Sequence, residues 1–390
     1  MKSIVDLTSK LVRIPSRAGL DPVDKILDFL SHWLAQRHLP VHRLRSPTGA
    51  DVGLYLRLRS DEPGPALCLN ACLDTAPFGD AEAWHYPPAS GVIEDGRLHG
   101  RGAADSKIAV AIFSHLAAAF QHTQRLPRGE LYIVFDADEH TGDFQGIKSF
   151  LKVTPRRPAA VLIGYPGNDK LVAGSRGFLR AEITVYGLGA HSGSSHNPGF
   201  NAILKMAHLI QSLHSRPLPQ EEDPAFKMGP KVTVTEVQGG EGFSLIPDRC
   251  DCKVDFRLTP HVDKKIAAQW IESVVHQTDA EHPGTKPTHI DCKESWPAYR
   301  VPAAHPLVQQ FLEAAQEVFG RDIPPVVSGP SNIGNYLASK NIPALSGFGV
   351  SYANIHAPDE SVEIETIAPV YEVYRRAIEK ILRSELPAPQ

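Results

Sequence analysis

Apolar positions follow two different periods along the first 165 residues. Residues 22–38 (PVDKILDFLSHWLAQRH) carry them at helical spacing, and residues 51–59 (DVGLYLRLR) alternate as a half-buried strand does. Residues 66–74 (ALCLNACLD) are nearly all apolar until an aspartate, which predicts a buried strand. An apolar helix is expected over 106–123 (SKIAVAIFSHLAAAFQHT), then buried strands over 129–139 (GELYIVFDADE) and 159–166 (AAVLIGYP). Such alternation of helix and strand predicts an α/β domain around a central sheet.

The pattern changes after residue 177. Residues 178–187 (FLRAEITVYG), 231–240 (KVTVTEVQGG) and 250–259 (CDCKVDFRLT) read as strands, and 201–215 (NAILKMAHLIQSLHS) and 263–278 (DKKIAAQWIESVVHQT) as helices. Two helices against an antiparallel sheet make an α+β unit. It is expected to be an insertion, because 305–320 (HPLVQQFLEAAQEVFG), 343–350 (PALSGFGV) and a final helix near 362–383 return to the first pattern. The expected division is one domain from 1–177 and 294–390, and an inserted one from 178–293. No repeat or low-complexity segment is visible, and the last residues, SELPAPQ, are expected to be loose.

Bulk properties narrow the classes. A length of 390 residues suits two domains, and 42% hydrophobic with 22% charged residues is ordinary for a globular chain. The net charge of −4 and the lack of basic tracts argue against a nucleic-acid partner, and no apolar run suggests a membrane span. The N-terminal MKSIVDLTSKLVRIPSR interleaves apolar residues with charges, unlike a secretory leader. Five cysteines, an odd count in a long chain, do not suggest a disulfide framework. The expectation is a cytoplasmic protein.

Four stretches place acids, histidines or other polar groups at the ends of buried strands, where sites form in open α/β sheets. The first is Cys72 to Thr75; alternate strand residues face one way, so Cys72 and Asp74 are candidates for a shared site. The second is Gly100 to Lys107, where Asp105 opens a helix behind a Gly-rich turn and a plain N-cap remains an alternative. The third, Asp136 to Asp143, crowds four acids around His140, which calls for a cation unless the loop is simply solvated. The fourth is Asn354 to Glu360, with His356 either structural or a ligand.

These stretches also carry motifs. Asn70-Ala71-Cys72-Leu73-Asp74 has the outline of N-G-H-x-D, and Gly100 to Lys107 fills G-R-G-x-x-D-x-K in full. Asp138-Glu139-His140-Thr141-Gly142 follows D-E-E-x-G, and Gly164-Tyr165-Pro166 follows a G-E-P turn. Gly187 to Ser192 and Gly199 to Ile203 match G-x-x-x-H-S and G-x-N-A-I, and His356 precedes Asp359-Glu360. In this order they resemble the metallo-aminoacylases and exopeptidases that include acetylornithine deacetylase, succinyl-diaminopimelate desuccinylase and carboxypeptidase G. The resemblance spans nearly the whole chain. It implies an α/β zinc-exopeptidase-like catalytic domain with a central mixed sheet, and an inserted ferredoxin-like α+β domain serving as lid and dimerisation domain.

The resemblance also implies a site. Two metal ions in that family share an aspartate that maps to Asp105. One ion's other ligands map to His140 and His356, and the other ion's to Cys72 and Tyr165. The first set, two imidazoles and a carboxylate, suits Zn, Mn or Fe(II). The second set is a thiol and a phenol, and the phenol must lose a proton with a pKa of about 10 before it binds. One strong metal site is therefore expected, with the second weak or absent. Glu139 maps to the general base that deprotonates a metal-bound water, and Asp74 to a group that orients the ligand two residues earlier. His191 maps to a histidine that reaches across a homodimer to the oxyanion. Arg257, Asn332 and Phe348 fall in segments that resemble substrate loops, with Phe348 and Tyr165 making the pocket more aromatic. Cys72 stays open between a ligand, a nucleophile with a nearby base, and buried filler.

The expected activity is metal-dependent hydrolysis of a C–N bond, amide-type, in a small carboxylate-bearing substrate. The alternatives are a non-peptide C–N bond on an unusual or aromatic substrate, and a metal-poor binding relative without catalysis. The altered ligands argue against a standard aminoacylase.

Overall fold

The computed structural model describes residues 1–122, 125–219 and 223–386. Positions 387–390 of the tail, and Thr123 at the end of the expected apolar helix, lie outside them. The chain divides into two compact units. The first holds Met1–Gly174, Arg300–Val326 and the residues from Asn332 on; the second holds Ser175–Tyr299 and Val327–Ser331. The inserted unit thus runs a few residues past 293, because the His289–Trp296 strand pairs with Gly177–Tyr186 at both ends, across an irregularity between Cys292 and Ser295.

The first unit is built on a six-stranded mixed sheet. Its order is Val41–Arg45, Asp51–Arg59, Glu130–Asp136, Ala66–Cys72, Ala160–Ile163 and Ala344–Leu345. The first two strands pair antiparallel with each other, and the second with the third; the remaining pairings are parallel. The parallel strands are mostly apolar because both faces are covered, and every residue of Ala66–Cys72 and Glu130–Asp136 is buried, Asn70, Glu130 and Asp136 included. Parallel direction has one consequence for function. The segments that leave Cys72, Asp136, Ile163 and Leu345 all start from one edge of the sheet.

The Ile108–His122 helix packs in this core. The stretch Ala103–His122 is long and apolar enough to cross a bilayer by length and composition, contrary to the reading that no such run exists. Most of it is buried inside the fold, which accounts for its apolar character without a membrane.

The second unit has a four-stranded antiparallel sheet in the order Lys231–Gly239, Arg249–Leu258, Gly177–Tyr186, His289–Trp296. With helices Ala202–Ser215 and Lys264–Glu281 its chain order is β-α-β-β-α-β, the ferredoxin-like arrangement. One face of the sheet is apolar at every second position. Leu179, Ala181, Ile183 and Val185 on one strand, and Cys250, Cys252, Val254 and Phe256 on its neighbour, share a core with Met206, Leu209, Ile271 and Val274 of the helices.

Two residues expected at a substrate loop make packing and capping contacts. Phe348 is 1% exposed, and its ring lies edge-on to Phe311 at 5.1 Å and to Phe319 at 6.0 Å. Its carbonyl accepts a hydrogen bond from the Tyr374 hydroxyl at 2.6 Å. The apolar ring is worth more against the Pro306–Phe319 and Ile367–Arg383 helices than at a wet pocket, so the expectation of an aromatic wall from Phe348 is corrected. Asn332 caps the Ile333–Ala338 helix. Its side chain accepts from Gly334 N at 2.7 Å and donates to Ser346 Oγ at 3.3 Å.

Phe348→Ala is expected to destabilise the protein by about 3–5 kcal/mol through the cavity it leaves, read as a lower denaturation midpoint. An unchanged midpoint with altered ligand binding would return Phe348 to the site.

Candidate metal centre

Asp74 organises the loop that follows the Glu130–Asp136 strand. It lies two residues past the end of the neighbouring strand and is fully buried. Its Oδ1 accepts the backbone N–H of Glu139 at 3.1 Å, and its Oδ2 accepts that of His140 at 2.8 Å. A buried carboxylate needs such donors, and here they fix the two residues whose side chains carry the chemistry. The crowded acids of this loop have similar tasks. Asp136 accepts from Asp138 N and Ile147 N, and Asp138 accepts from Thr141 Oγ1 and Gln145 N. Burial, with the Asp74 charge nearby, pushes the Asp136 carboxyl up to about 8.

Asp105 is not an N-cap. It sits in a turn with non-helical torsions (φ −119°, ψ 91°), three residues before the Ile108–His122 helix begins. Gly102 enters this turn at φ +81°, and a Cβ there would meet Thr75 Cγ2 at 2.4 Å, so glycine is required on both counts. The turn is held from the other end of the chain. Glu360 Oε1 accepts Ala104 N at 2.9 Å and Asp105 N at 3.3 Å, and its Oε2 pairs with Arg101 at 2.7 Å. The pair is dry, with side-chain exposures of 2% and 0%. Removing one partner of such a pair strands a buried charge.

His140 and His356 converge on Asp105. Asp105 Oδ2 is 3.0 Å from His356 Nε2 and 3.6 Å from His140 Nε2. The ligand atoms of the three residues all lie within 4.8 Å of one another. His356 arrives on a loop in which Asn354, His356 and Asp359 all adopt φ between 56° and 60°, the left-handed region that Asn, Asp and His enter more readily than other non-glycine residues. Burial alone would raise the Asp105 pKa, but the two imidazoles beside it more than offset that and hold it below the ordinary carboxylate range. Burial works against charging His140, yet Asp105 and Asp74 drive its pKa well above normal. The surroundings therefore favour a cation here. His140 Nδ1 is buried without a hydrogen-bond partner, although Asp74 Oδ2 and Glu139 Oε2 lie 3.4 and 3.3 Å away. Two imidazoles and a carboxylate, in surroundings that favour positive charge, fit a divalent transition metal.

Cys72 and Tyr165 stand on the other side of Asp105 and Glu139. Cys72 Sγ donates to Asp105 Oδ1 at 3.7 Å and lies 3.2 Å from Ser106 Oγ. Tyr165 donates its phenol hydrogen to Glu139 Oε1. Burial raises both pKa values well above normal, helped by the Asp105 charge at the thiol and the Glu139 charge at the phenol, so both keep their protons. A protonated thiol is a poor nucleophile. Burial pushes Glu139 up to about 7, with Asp105 and Asp74 adding to the shift and His140 opposing it. Cys72, Asp74 and His140 form a second group whose ligand atoms come within 4.8 Å.

His191 and Arg257 belong to the second unit. His191 is exposed, on the short strand Ala190–His191 that pairs with Leu245–Ile246, and its Nδ1 accepts Gly193 N at 3.1 Å. Arg257 is 2.7 Å from Asp255 and donates to Ser331 Oγ at 3.1 Å. Ser331 Oγ in turn donates to Arg176 O at 2.7 Å. Arg176 was missed in the sequence, where it is one basic residue in a glycine-rich turn. Desolvation and the nearby Arg257 charge lower its pKa. The signal was the second guanidinium, which only the fold brings near.

The model of peptidase family M20/M25/M40 matches residues 68–380. A succinyl-diaminopimelate desuccinylase from Xanthobacter autotrophicus is 29% identical over 384 residues, covering 95% of this chain and 97% of the relative. Another from Rhodospirillum centenum is 27% identical, covering 96% of both. An M20 family metallo-carboxypeptidase, Sso-CP2 from Sulfolobus solfataricus, shares the fold with a TM-score of 0.81 at 18% identity, over 98% of this chain and 99% of that one. A dinuclear metal-binding M20 peptidase from Bacillus subtilis shares it with a TM-score of 0.72 at 14% identity, over 98% and 99%.

Asp74→Asn keeps one acceptor oxygen and turns an NH2 group towards the other backbone N–H. Metal affinity is expected to fall about 10–100-fold, measured by competition with a chelating dye. Unchanged affinity would mean that Asp74 does not position His140.

Proposed function

The chain belongs to peptidase family M20/M25/M40, and from that premise we propose that it is a single-ion amidohydrolase of small carboxylate-bearing molecules. It is a metallohydrolase of C–N bonds. The observation that carries the single-ion reading is the split environment of Asp105, with one oxygen on two imidazoles and the other on a thiol. Asp105, His140 and His356 would hold the ion. An ion held there supplies Lewis acidity and makes water a better nucleophile near neutral pH.

The chain's own groups do the rest. Glu139, with its pKa pushed up to about 7, is matched to take a proton from the attacking water and pass it to the departing nitrogen. Asp74 keeps its backbone in place. A substrate carboxylate is assigned to Arg257, whose guanidinium donates to Ser331 Oγ beside Asp255; Ser331 Oγ donates in turn to the main-chain carbonyl of Arg176, whose guanidinium donates to Gly329 O and Gly229 O. The desuccinylase relatives make succinyl amides of amino acids the first substrates to try. His191 is assigned to the oxyanion within a homodimer. Support comes from exposed apolar residues around its strand pair, with Leu188 at 53%, Leu245 at 55% and Phe243 at 106% exposure. All five cysteines are free, which suits the cytoplasm.

The test is a panel of N-acyl and N-succinyl amino acids, with carboxyl-free amides as controls. Hydrolysis is expected only of carboxylate-bearing members, to stop on chelation and to return with Zn or Mn. Glu139→Gln is expected to lower kcat by about 10²–10⁴-fold with the ion still bound. Hydrolysis that survives chelation would overturn the reading.

A further inference from the structure

We propose that Tyr165 replaces a second metal ion in this chain: its phenol O–H, together with the Cys72 thiol, supplies uncharged donors to Glu139 and Asp105 where another cation would otherwise bind. The inference rests on the single-ion reading of Asp105, His140 and His356 and explains how the neighbouring half of the site is held together.

The placement follows from the sheet. Ala66–Cys72 and Ala160–Ile163 are adjacent parallel strands, with Asn70 opposite Ile163. Cys72 ends the first, and Tyr165 follows the second by two residues. Gly164 N donates to Asn70 O at 2.8 Å, which ties the turn before Tyr165 to the Cys72 strand. A Cβ on Gly164 would meet Ala109 Cβ at 2.5 Å, and one on Gly349 would meet Tyr165 O at 2.3 Å. Close packing from two sides thus fixes the backbone of Tyr165, and its ring is presented on a rigid support.

The division of oxygen atoms is the main argument. Asp105 turns Oδ2 to the imidazoles and Oδ1 to the thiol. Glu139 turns Oε2 towards His140 and Oε1 to the phenol. On the imidazole side one oxygen of each carboxylate, Asp105 Oδ2 and Glu139 Oε2, meets groups that ligate metals. On the other side each carboxylate meets a neutral group with a single hydrogen to give. To ligate an ion, the thiol and the phenol would both have to release protons into a space already holding Asp74, Asp105 and Glu139. A hydrogen bond leaves the charge of each carboxylate in place and costs no deprotonation. Tyr165 is a positioning residue in this account: it acts on the reaction by fixing which oxygen of Glu139 is engaged and which is left to move a proton.

The experiment counts ions per folded chain by elemental analysis after equilibration with excess Zn or Mn and gel filtration. The wild type and Tyr165→Phe are expected to hold one ion, and Cys72→His with Tyr165→Glu to hold two. Tyr165→Phe is expected to lower kcat about 10–100-fold while KM stays within a factor of two. Two ions in the wild type would overturn the proposal, as would one ion in the folded double variant. If the double variant does not fold, the wild-type count and the Tyr165→Phe kinetics decide: a kcat unchanged by loss of the hydroxyl overturns it. Ion counts need no substrate. One ion in an inactive wild type and two in the double variant would defeat the amidohydrolase reading and leave this one standing.

Discussion

Everything at this centre depends on buried carboxylates that are held by backbone N–H groups. Asp74, with no exposure, takes the amides of Glu139 and His140. Glu360, equally buried, takes those of Ala104 and Asp105 and neutralises Arg101. Asp74 also lies 3.4 Å from His140 Nδ1. Each acid sets a loop that carries a residue of the centre. A carboxylate kept in low dielectric is costly unless its lone pairs are filled, so the two loops have little freedom to rearrange. Asp105, His140 and Glu139 are thereby presented in one geometry.

The parallel strands make that geometry reachable. Four segments from distant parts of the chain leave the same sheet edge; those after Ile163 and Asp136 meet at Tyr165 and Glu139, and Cys72 meets Asp105 of the turn before the Ile108–His122 helix. The outcome is a site of two characters. One side gathers imidazoles around anionic oxygen and favours a cation. The other side closes the same carboxylates with a thiol and a phenol that burial keeps protonated.

Much of this was legible in the sequence. Strand ends that ran into acids marked Asp74, Glu139 and His140 as candidates, a Gly-rich turn before an apolar helix marked Asp105, and the change in periodicity near residue 177 marked the insert. Residue types at known motif positions placed His356, Cys72 and Tyr165. Other features were not legible, for identifiable reasons. Phe348 lies in a glycine-bounded loop that reads as pocket wall, but whether its ring turns in or out depends on helices at 306–319 and 367–383. Asn332 is both a polar candidate and a good N-cap, and only the helix beginning at Ile333 decides. The duty of Asp74 towards two backbone amides leaves no trace in side-chain patterns. Arg176 gains meaning only from Arg257, 81 positions on in the chain numbering of the sequence.

The central claim is that one half of this centre binds an ion and the other half has exchanged an ion for hydrogen-bond donors. Anomalous diffraction at the zinc edge, from crystals grown with zinc, tests it most directly. The account predicts one peak per chain, among Asp105 Oδ2, His140 and His356, with the Tyr165 hydroxyl still on Glu139. A second peak of comparable height between Asp105 Oδ1, Cys72 and Tyr165 would contradict it.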